Sequence, residues 1–177
     1  DQPVSIKNSL VVIDSSIKDA ARLTDDLSGR AEVLVLSARQ SGIAQITAAL
    51  QQYPHLSSLH LVSHGDSGRL YLGRTQLELN ALGQNADAIT AWANALAGKD
   101  VLIYGCQVAQ GAVGYLFLQQ LRQLTRANIA ASTKPIGRVD DQPNWVLDTQ
   151  LGKVETPVVF YATLRQSYTG SFIPDET

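Results

Sequence analysis

Short runs of apolar, largely β-branched residues alternate along this chain with longer stretches whose apolar residues recur every three to four positions. Leu10-Val11-Val12-Ile13, Glu32-Val33-Leu34-Val35-Leu36, Leu59-His60-Leu61-Val62-Ser63, Val101-Leu102-Ile103-Tyr104 and a weaker Ala127-Asn128-Ile129-Ala130-Ala131 form the first class. Runs this uniformly apolar suit parallel strands covered on both faces. The second class comprises Asp19 to Leu27, then Ile43, Ile46, Thr47 and Leu50 with Ser41 placed to cap. Ile89, Trp92, Ala93 and Leu96 follow, with Gly98 as a stop, and last Tyr115, Leu118, Leu121 and Leu124. Strand, helix, strand, helix in this order predicts right-handed βαβ units. The fold class expected is therefore α/β, a three-layer α/β/α sandwich around a mainly parallel sheet, built as one domain over 1–177 with its core at about 9–170.

Two stretches depart from the alternation. Arg69 to Leu79 reads as a hairpin turning at Gly73-Arg74. Asn144-Trp145-Val146-Leu147-Asp148 reads as the start of a late β segment, and the stretch after Thr156 as one more apolar run, Val158 to Tyr161, before a polar end expected to fray.

Composition narrows the function classes. Fourteen Lys and Arg against sixteen Asp and Glu give a net charge of −2, without the basic surface that nucleic-acid phosphates require. No apolar run approaches the roughly 18–20 residues of a membrane span. A single cysteine excludes an internal disulfide framework, and one cysteine with three histidines argues against structural zinc. The chain lacks methionine and begins at Asp1, which reads as a fragment or processed product.

In open α/β sheets ligands bind beyond the carboxyl ends of the parallel strands. Asp14 ends the first strand, Ser63-His64-Gly65-Asp66 follow the third, Gly105-Cys106-Gln107 the fourth and Ser132-Thr133 the fifth. The one cysteine and one of three histidines thus reach a common edge on neighbouring strands. Each adjoins a glycine, which permits a sharp turn with φ > 0 and lets a substrate approach the main chain. Cys106 also precedes a helix expected to begin around Gly111–Val113, whose dipole favours a thiolate. Cys106 as nucleophile, His64 as proton acceptor and donor, and the N–H groups near Gly65 and Cys106 as oxyanion donors suffice for acyl transfer, meaning hydrolysis of a peptide bond. His60 reads as structural and His55 as exposed.

An apolar strand ending in His-Gly, followed some forty residues later by one ending in Gly-Cys, resembles the clan of caspases, metacaspases, gingipains, clostripain, separase and CHAT-domain proteins. More narrowly, Ser63-His64-Gly65, Tyr104-Gly105-Cys106-Gln107-Val108-Ala109, Ala130-Ala131-Ser132-Thr133 and Asn144-Trp145-Val146-Leu147 are similar to an uncharacterised bacterial domain. That domain stands near the N-terminus of large, repeat-rich surface proteins and adhesins. The resemblance implies a caspase-hemoglobinase-like cysteine endopeptidase with a His64–Cys106 dyad, no metal in the chemical step and a secreted or cell-surface setting. Its substrate would be a peptide or protein, the parent chain included.

By the same resemblance Asp14 lines the pocket for the residue before the cut bond, which implies a basic residue there; the alternative is an Asp capping the following helix at Ser16–Lys18. Ser132 and Thr133 would border the cleft. Asp66 would tune the histidine or bind a substrate amide, or else stay an exposed loop carboxylate. Trp145 would line the cleft or belong to the core. Some relatives respond to calcium, and Asp140-Asp141 are the candidates for it, although no calcium-loop spacing is present. There is no processing linker between two subunits, so a monomer is expected. The rival reading is a catalytically inactive relative that binds or anchors a partner.

Overall fold

The computed structural model describes residues 8–174; the two ends of the expected 1–177 domain, and the last residues of the polar end expected to fray, lie outside that range. Strand β1 (Ser9–Asp14) is followed by α1 (Ala20–Leu27), β2 (Glu32–Leu36), α2 (Gly42–Gln52) and β3 (Ser58–Val62). Next come a short strand β4 (Gly65–Asp66), the hairpin β5 (Arg69–Leu72) and β6 (Thr75–Leu77), and three short helices, α3 (Leu79–Gln84), α4 (Ala86–Ala91) and α5 (Ala93–Leu96). Strand β7 (Asp100–Tyr104) leads into α6 (Gly111–Thr125) and β8 (Asn128–Ala131). Strands β9 (Gly137–Val139), β10 (Gln142–Asn144) and β11 (Thr149–Leu151) and helix α7 (Ala162–Ser167) complete the described chain.

The central sheet has six strands in the order β11-β8-β7-β3-β1-β2. Its first five strands in chain order run parallel, and β11 joins β8 antiparallel at one edge. The protein is thus a mixed α/β fold with a mostly parallel sheet flanked by helices. Successive strand residues face opposite sides, and the apolar clusters follow that alternation. Leu10, Val12, Leu59, Leu61, Val101 and Ile103 belong to a cluster with residues of α2 to α6. Val11, Ile13, Val62, Leu102 and Tyr104 belong to another with α1, α7 and the chain beyond β11. Strands β1, β3 and β7 are buried at every residue. Ser41 caps α2, accepting from the Ala44 N–H at 3.2 Å.

Several expectations need correction. Strand β2 is an edge strand, so Glu32 and Val35 are exposed rather than covered. The apolar stripe of α6 runs through Gly114, Phe117, Leu118, Leu121 and Thr125, and Tyr115 is exposed. Strand β10 ends at Asn144, and Trp145 to Asp148 are irregular because Trp145 turns inward to the core. Val158 to Tyr161 is not a strand. The chain after it does not fray within the described residues: Phe160, Leu164, Tyr168 and Phe172 are all buried. Spaced four apart, they pack with Trp145 and Tyr104, the ring centroids of Trp145 and Phe172 lying 5.6 Å apart.

Candidate active site at the carboxyl edge of the sheet

His64 and Cys106 emerge from adjacent strands. The β3–β7 register runs to Val62 opposite Tyr104, and His64 and Cys106 each lie two residues beyond that pair. The two glycines allow this close approach. A Cβ built on Gly65 would lie 2.8 Å from Val108 Cγ2, 3.1 Å from Gly105 Cα and 3.2 Å from Cys106 N. One on Gly105 would lie 2.9 Å from Leu70 Cδ2. Neither glycine has positive φ, so close packing accounts for them and a left-handed turn does not. The left-handed residue is Gln107, at φ 60°, directly after the cysteine, a conformation uncommon for a residue with a Cβ.

His64 is almost wholly buried, with 9% of the residue's surface exposed. Its Nε2 lies 3.3 Å from the Ser16 carbonyl oxygen. A carbonyl can only accept, so Nε2 carries the proton. In the tautomer with that single proton the lone pair is at Nδ1. That Nδ1 is buried and, among the described residues, is the buried side-chain nitrogen or oxygen without a hydrogen-bond partner. An unpartnered buried acceptor costs about 1–3 kcal/mol, and a catalytic role is one of the explanations such a group calls for.

Cys106 is fully enclosed. Its Sγ accepts from the Ile136 N–H at 3.1 Å and lies 3.4 Å from the Ile136 carbonyl. Burial pushes the thiol up to about 11, helped by the charge of nearby Asp66 and opposed by the amides of Ile136 and Phe172. The helix-dipole expectation of a favoured thiolate is therefore reversed in this closed arrangement, because loss of water outweighs the distant dipole. Ile136 and the Phe172 amide lie against the sulfur, so the chain's own segment around Phe172 is part of its cover. Phe172 donates its N–H to the Ile136 carbonyl at 3.1 Å, Arg138 donates to the Gly170 carbonyl at 2.8 Å, and Gly65 donates to the Phe172 carbonyl at 3.0 Å.

The other expected site residues divide. Asp14 is buried, its Oδ1 accepting from the Gly73 N–H at 2.7 Å and its Oδ2 from the Ser16 N–H at 3.2 Å and from the Ser16 hydroxyl. The carboxylate expected to meet a basic side chain is thus engaged by three donors of the chain itself, and it caps no helix at Ser16–Lys18 either, because those residues form a turn and α1 begins only at Ala20. Asp14 braces the turn that presents the Ser16 carbonyl to His64. Ser132 is buried, and its hydroxyl bridges both main-chain groups of Lys134 at 2.9 Å. Thr133 donates its N–H and hydroxyl to Asp148 at 2.9 and 2.6 Å. Burial alone would raise the Asp148 carboxyl, but the Thr133 bonds hold it below its usual range. Asp66 is exposed and accepts from the Ser67 N–H at 2.8 Å. Asp140 and Asp141 lie exposed on the β9–β10 turn, Asp141 pairing with Arg138 at 3.4 Å. No cluster of three His, Cys, Asp or Glu that could hold a metal occurs among the described residues.

His60 is structural, as its sequence position suggests. Its ring lies 2.9 Å from both the Ser58 and Tyr104 hydroxyls, and the Tyr104 oxygen also accepts from the Val159 N–H at 3.1 Å. Burial pulls His60 down to about 3, against the raising influence of Asp100. Trp145 is core and His55 is exposed. Sequence reasoning missed the Ser16 carbonyl, Ile136 and Phe172. The first two act through their main chain, which no side-chain pattern reveals; for Phe172 the signal was the fourfold spacing from Phe160.

The family described as "Domain of unknown function (DUF4347)" matches residues 10–172. The chain belongs to that family. The match takes in His64, Cys106 and the covering segment up to Phe172, so the cover is part of the shared domain. No curated protein matches the chain. A cleft of about 450 Å³ opens elsewhere, between Asn144–Leu147, Thr156–Val158 and Arg165, and neither His64 nor Cys106 lines it. No helix among the described residues is long and apolar enough to cross a membrane.

Proposed function

We propose that this domain is a cysteine endopeptidase whose nucleophile is Cys106 and whose general base and acid is His64. The observation that carries the reading is the histidine's polarity: Nε2–H engaged by Ser16 and a buried, unpartnered Nδ1, on the strand next to the cysteine. Nδ1 takes the thiol proton as Sγ attacks a peptide carbonyl, and returns it to the departing amine. The main-chain N–H groups of Gly65 and Cys106 receive the oxyanion. Asp14 acts through Ser16, as a positioning residue. The step takes no metal, the substrate is a peptide or protein, and the parent chain is one such substrate.

The fold is read as a three-layer α/β/α sandwich of the caspase-hemoglobinase kind, supported by the two alternating apolar clusters and by the antiparallel edge strand. A monomeric module fits a sequence without a two-subunit linker, and the secreted or surface setting rests on the family resemblance alone. The test compares hydrolysis of reporter peptides ending in aromatic, aliphatic, Lys or Arg residues by the wild type, Cys106→Ala and His64→Ala. Hydrolysis by the wild type that drops at least a hundredfold in both variants supports the reading; equal rates in all three refute it.

One observation favours the rival, an inactive binding module: the sulfur is fully enclosed and its thiol is held protonated. An enclosed thiol is most often a small apolar filler. The two readings part on whether the cover is permanent packing or an occupant of the groove.

A further inference from the structure

Two main-chain hydrogen bonds hold residues 170–172 in an extended segment against 136–138, and a third ties that segment to Gly65. Arg138 N–H donates to the Gly170 carbonyl at 2.8 Å, and Phe172 N–H donates to the Ile136 carbonyl at 3.1 Å. Gly137 and Ser171 form the antiparallel bridge between them. A strand laid along a cleft by alternate main-chain bonds, with its side chains free to enter pockets, is how extended peptides are generally held. The third bond differs in kind. It joins the Phe172 carbonyl to the N–H of Gly65 at 3.0 Å, the donor that acyl transfer at Cys106 would direct at the oxygen of the carbonyl under attack. The Phe172 amide faces the Cys106 sulfur, and the Phe172 ring is fully buried among Trp145, Tyr168 and Ile136. Ile173 beyond it is exposed.

We propose that the 170–173 segment occupies the groove as a substrate in cis, that Cys106 cuts the Phe172–Ile173 peptide bond, and that the site selects a large apolar or aromatic residue before the cut. The inference rests on the endopeptidase reading and adds its substrate, its specificity and its regulation. His64 Nδ1 accepts the thiol proton as Sγ bonds to the Phe172 carbonyl carbon. The carbonyl oxygen takes up the negative charge beside the Gly65 N–H. The C–N bond to Ile173 then breaks, its electron pair going to nitrogen, which receives the proton from His64. A solvent water hydrolyses the thioester with His64 as base, leaving a Phe172 carboxylate and restoring the thiol. Until the new end leaves, the same segment blocks the groove to other peptides, so one contact is both first substrate and inhibitor. The aromatic pocket replaces the basic preference that rested on Asp14, whose carboxylate is engaged by Ser16 and Gly73.

The test follows the intact mass of the purified chain over hours at pH 7 to 9, for the wild type, Cys106→Ala and Phe172→Leu, alongside hydrolysis of Gly-Ser-Phe and Gly-Ser-Arg reporter peptides. The expected result is loss of the mass of residues 173–177 from the wild type and from Phe172→Leu, none from Cys106→Ala, and cutting of the Phe reporter at least tenfold faster than the Arg one. A wild type that stays whole while either reporter is cut in a Cys106-dependent way overturns this inference and leaves the endopeptidase reading standing. A chain that stays whole and cuts neither reporter removes both. Release of 173–177 that persists in Cys106→Ala overturns the proposal as well.

Discussion

The enclosure of Cys106 makes its reactivity predictable. With the thiol at about 11, about one molecule in a thousand carries a thiolate at pH 8, against roughly one in four for a free cysteine near 8.5. That is a deficit of about two hundredfold. The more basic thiolate is also the better nucleophile, with a Brønsted slope of about 0.4–0.5, which restores roughly tenfold over this interval. Alkylation by iodoacetamide at pH 8 should therefore run about ten- to twentyfold slower than that of a free thiol, and slower still because no sulfur surface is open to reagent. The sign with pH is fixed by burial, which disfavours the charged form. The rate should climb about tenfold per unit from pH 7 to 10, where a free cysteine levels off near 9. Phe172→Ala, which empties a fully buried pocket and costs about 3–5 kcal/mol, should loosen the cover, raise the rate at pH 8 at least tenfold and move the midpoint down toward 8.5. Reading each adduct by intact mass keeps whole and cut chains apart. A wild-type rate within threefold of free cysteine, or a profile level above pH 9, would refute the argument.

Asp14→Ala removes the acceptor of two main-chain N–H groups and one hydroxyl; we expect a stability loss of about 1–3 kcal/mol in urea titrations and a tenfold or larger fall in kcat, with KM little changed and partial rescue by Asn. Gly65→Ala drives a methyl onto Val108, Gly105 and the Cys106 amide, and should cost about 1–3 kcal/mol by overpacking while abolishing peptide cutting. His60 is held neutral at about 3 in the fold against an ordinary 6.5. The unfolded chain therefore binds the extra proton first, and stability should fall by about 1.4 kcal/mol per unit as pH drops from 6.5 toward 3. In His60→Gln that part of the slope should vanish, which chemical denaturation at pH 6.5, 5.5 and 4.5 would measure.

The strands of the parallel sheet were legible because burial on both faces leaves a plain signature, as in Leu10–Ile13 and Val101–Tyr104. The adjacency of the strands that lead to His64 and Cys106 was legible in the strand pattern. What escaped the sequence depends on main-chain atoms and long-range pairing. The Ser16 carbonyl that orients His64, the Ile136 amide on the sulfur and the Gly65–Phe172 bond involve groups that every residue carries. Asp14 showed the complementary failure: its position at a strand end was legible, whereas its engagement by Gly73, fifty-nine residues away, was not. The stretch after Tyr161 looked polar because Arg165, Gln166 and Ser167 separate its apolar residues. Yet Phe160, Leu164, Tyr168 and Phe172 fill one side of the core.

Acyl transfer through the Cys106 sulfur is the claim on which the rest stands, and acid-quenched peptide mapping during turnover tests it most directly. The account predicts an acyl group in thioester linkage on Cys106 in the wild type, discharged by hydroxylamine and absent from His64→Ala. Peptide-bond cutting that proceeds with Cys106 never acylated, or at an undiminished rate in Cys106→Ala, would contradict it.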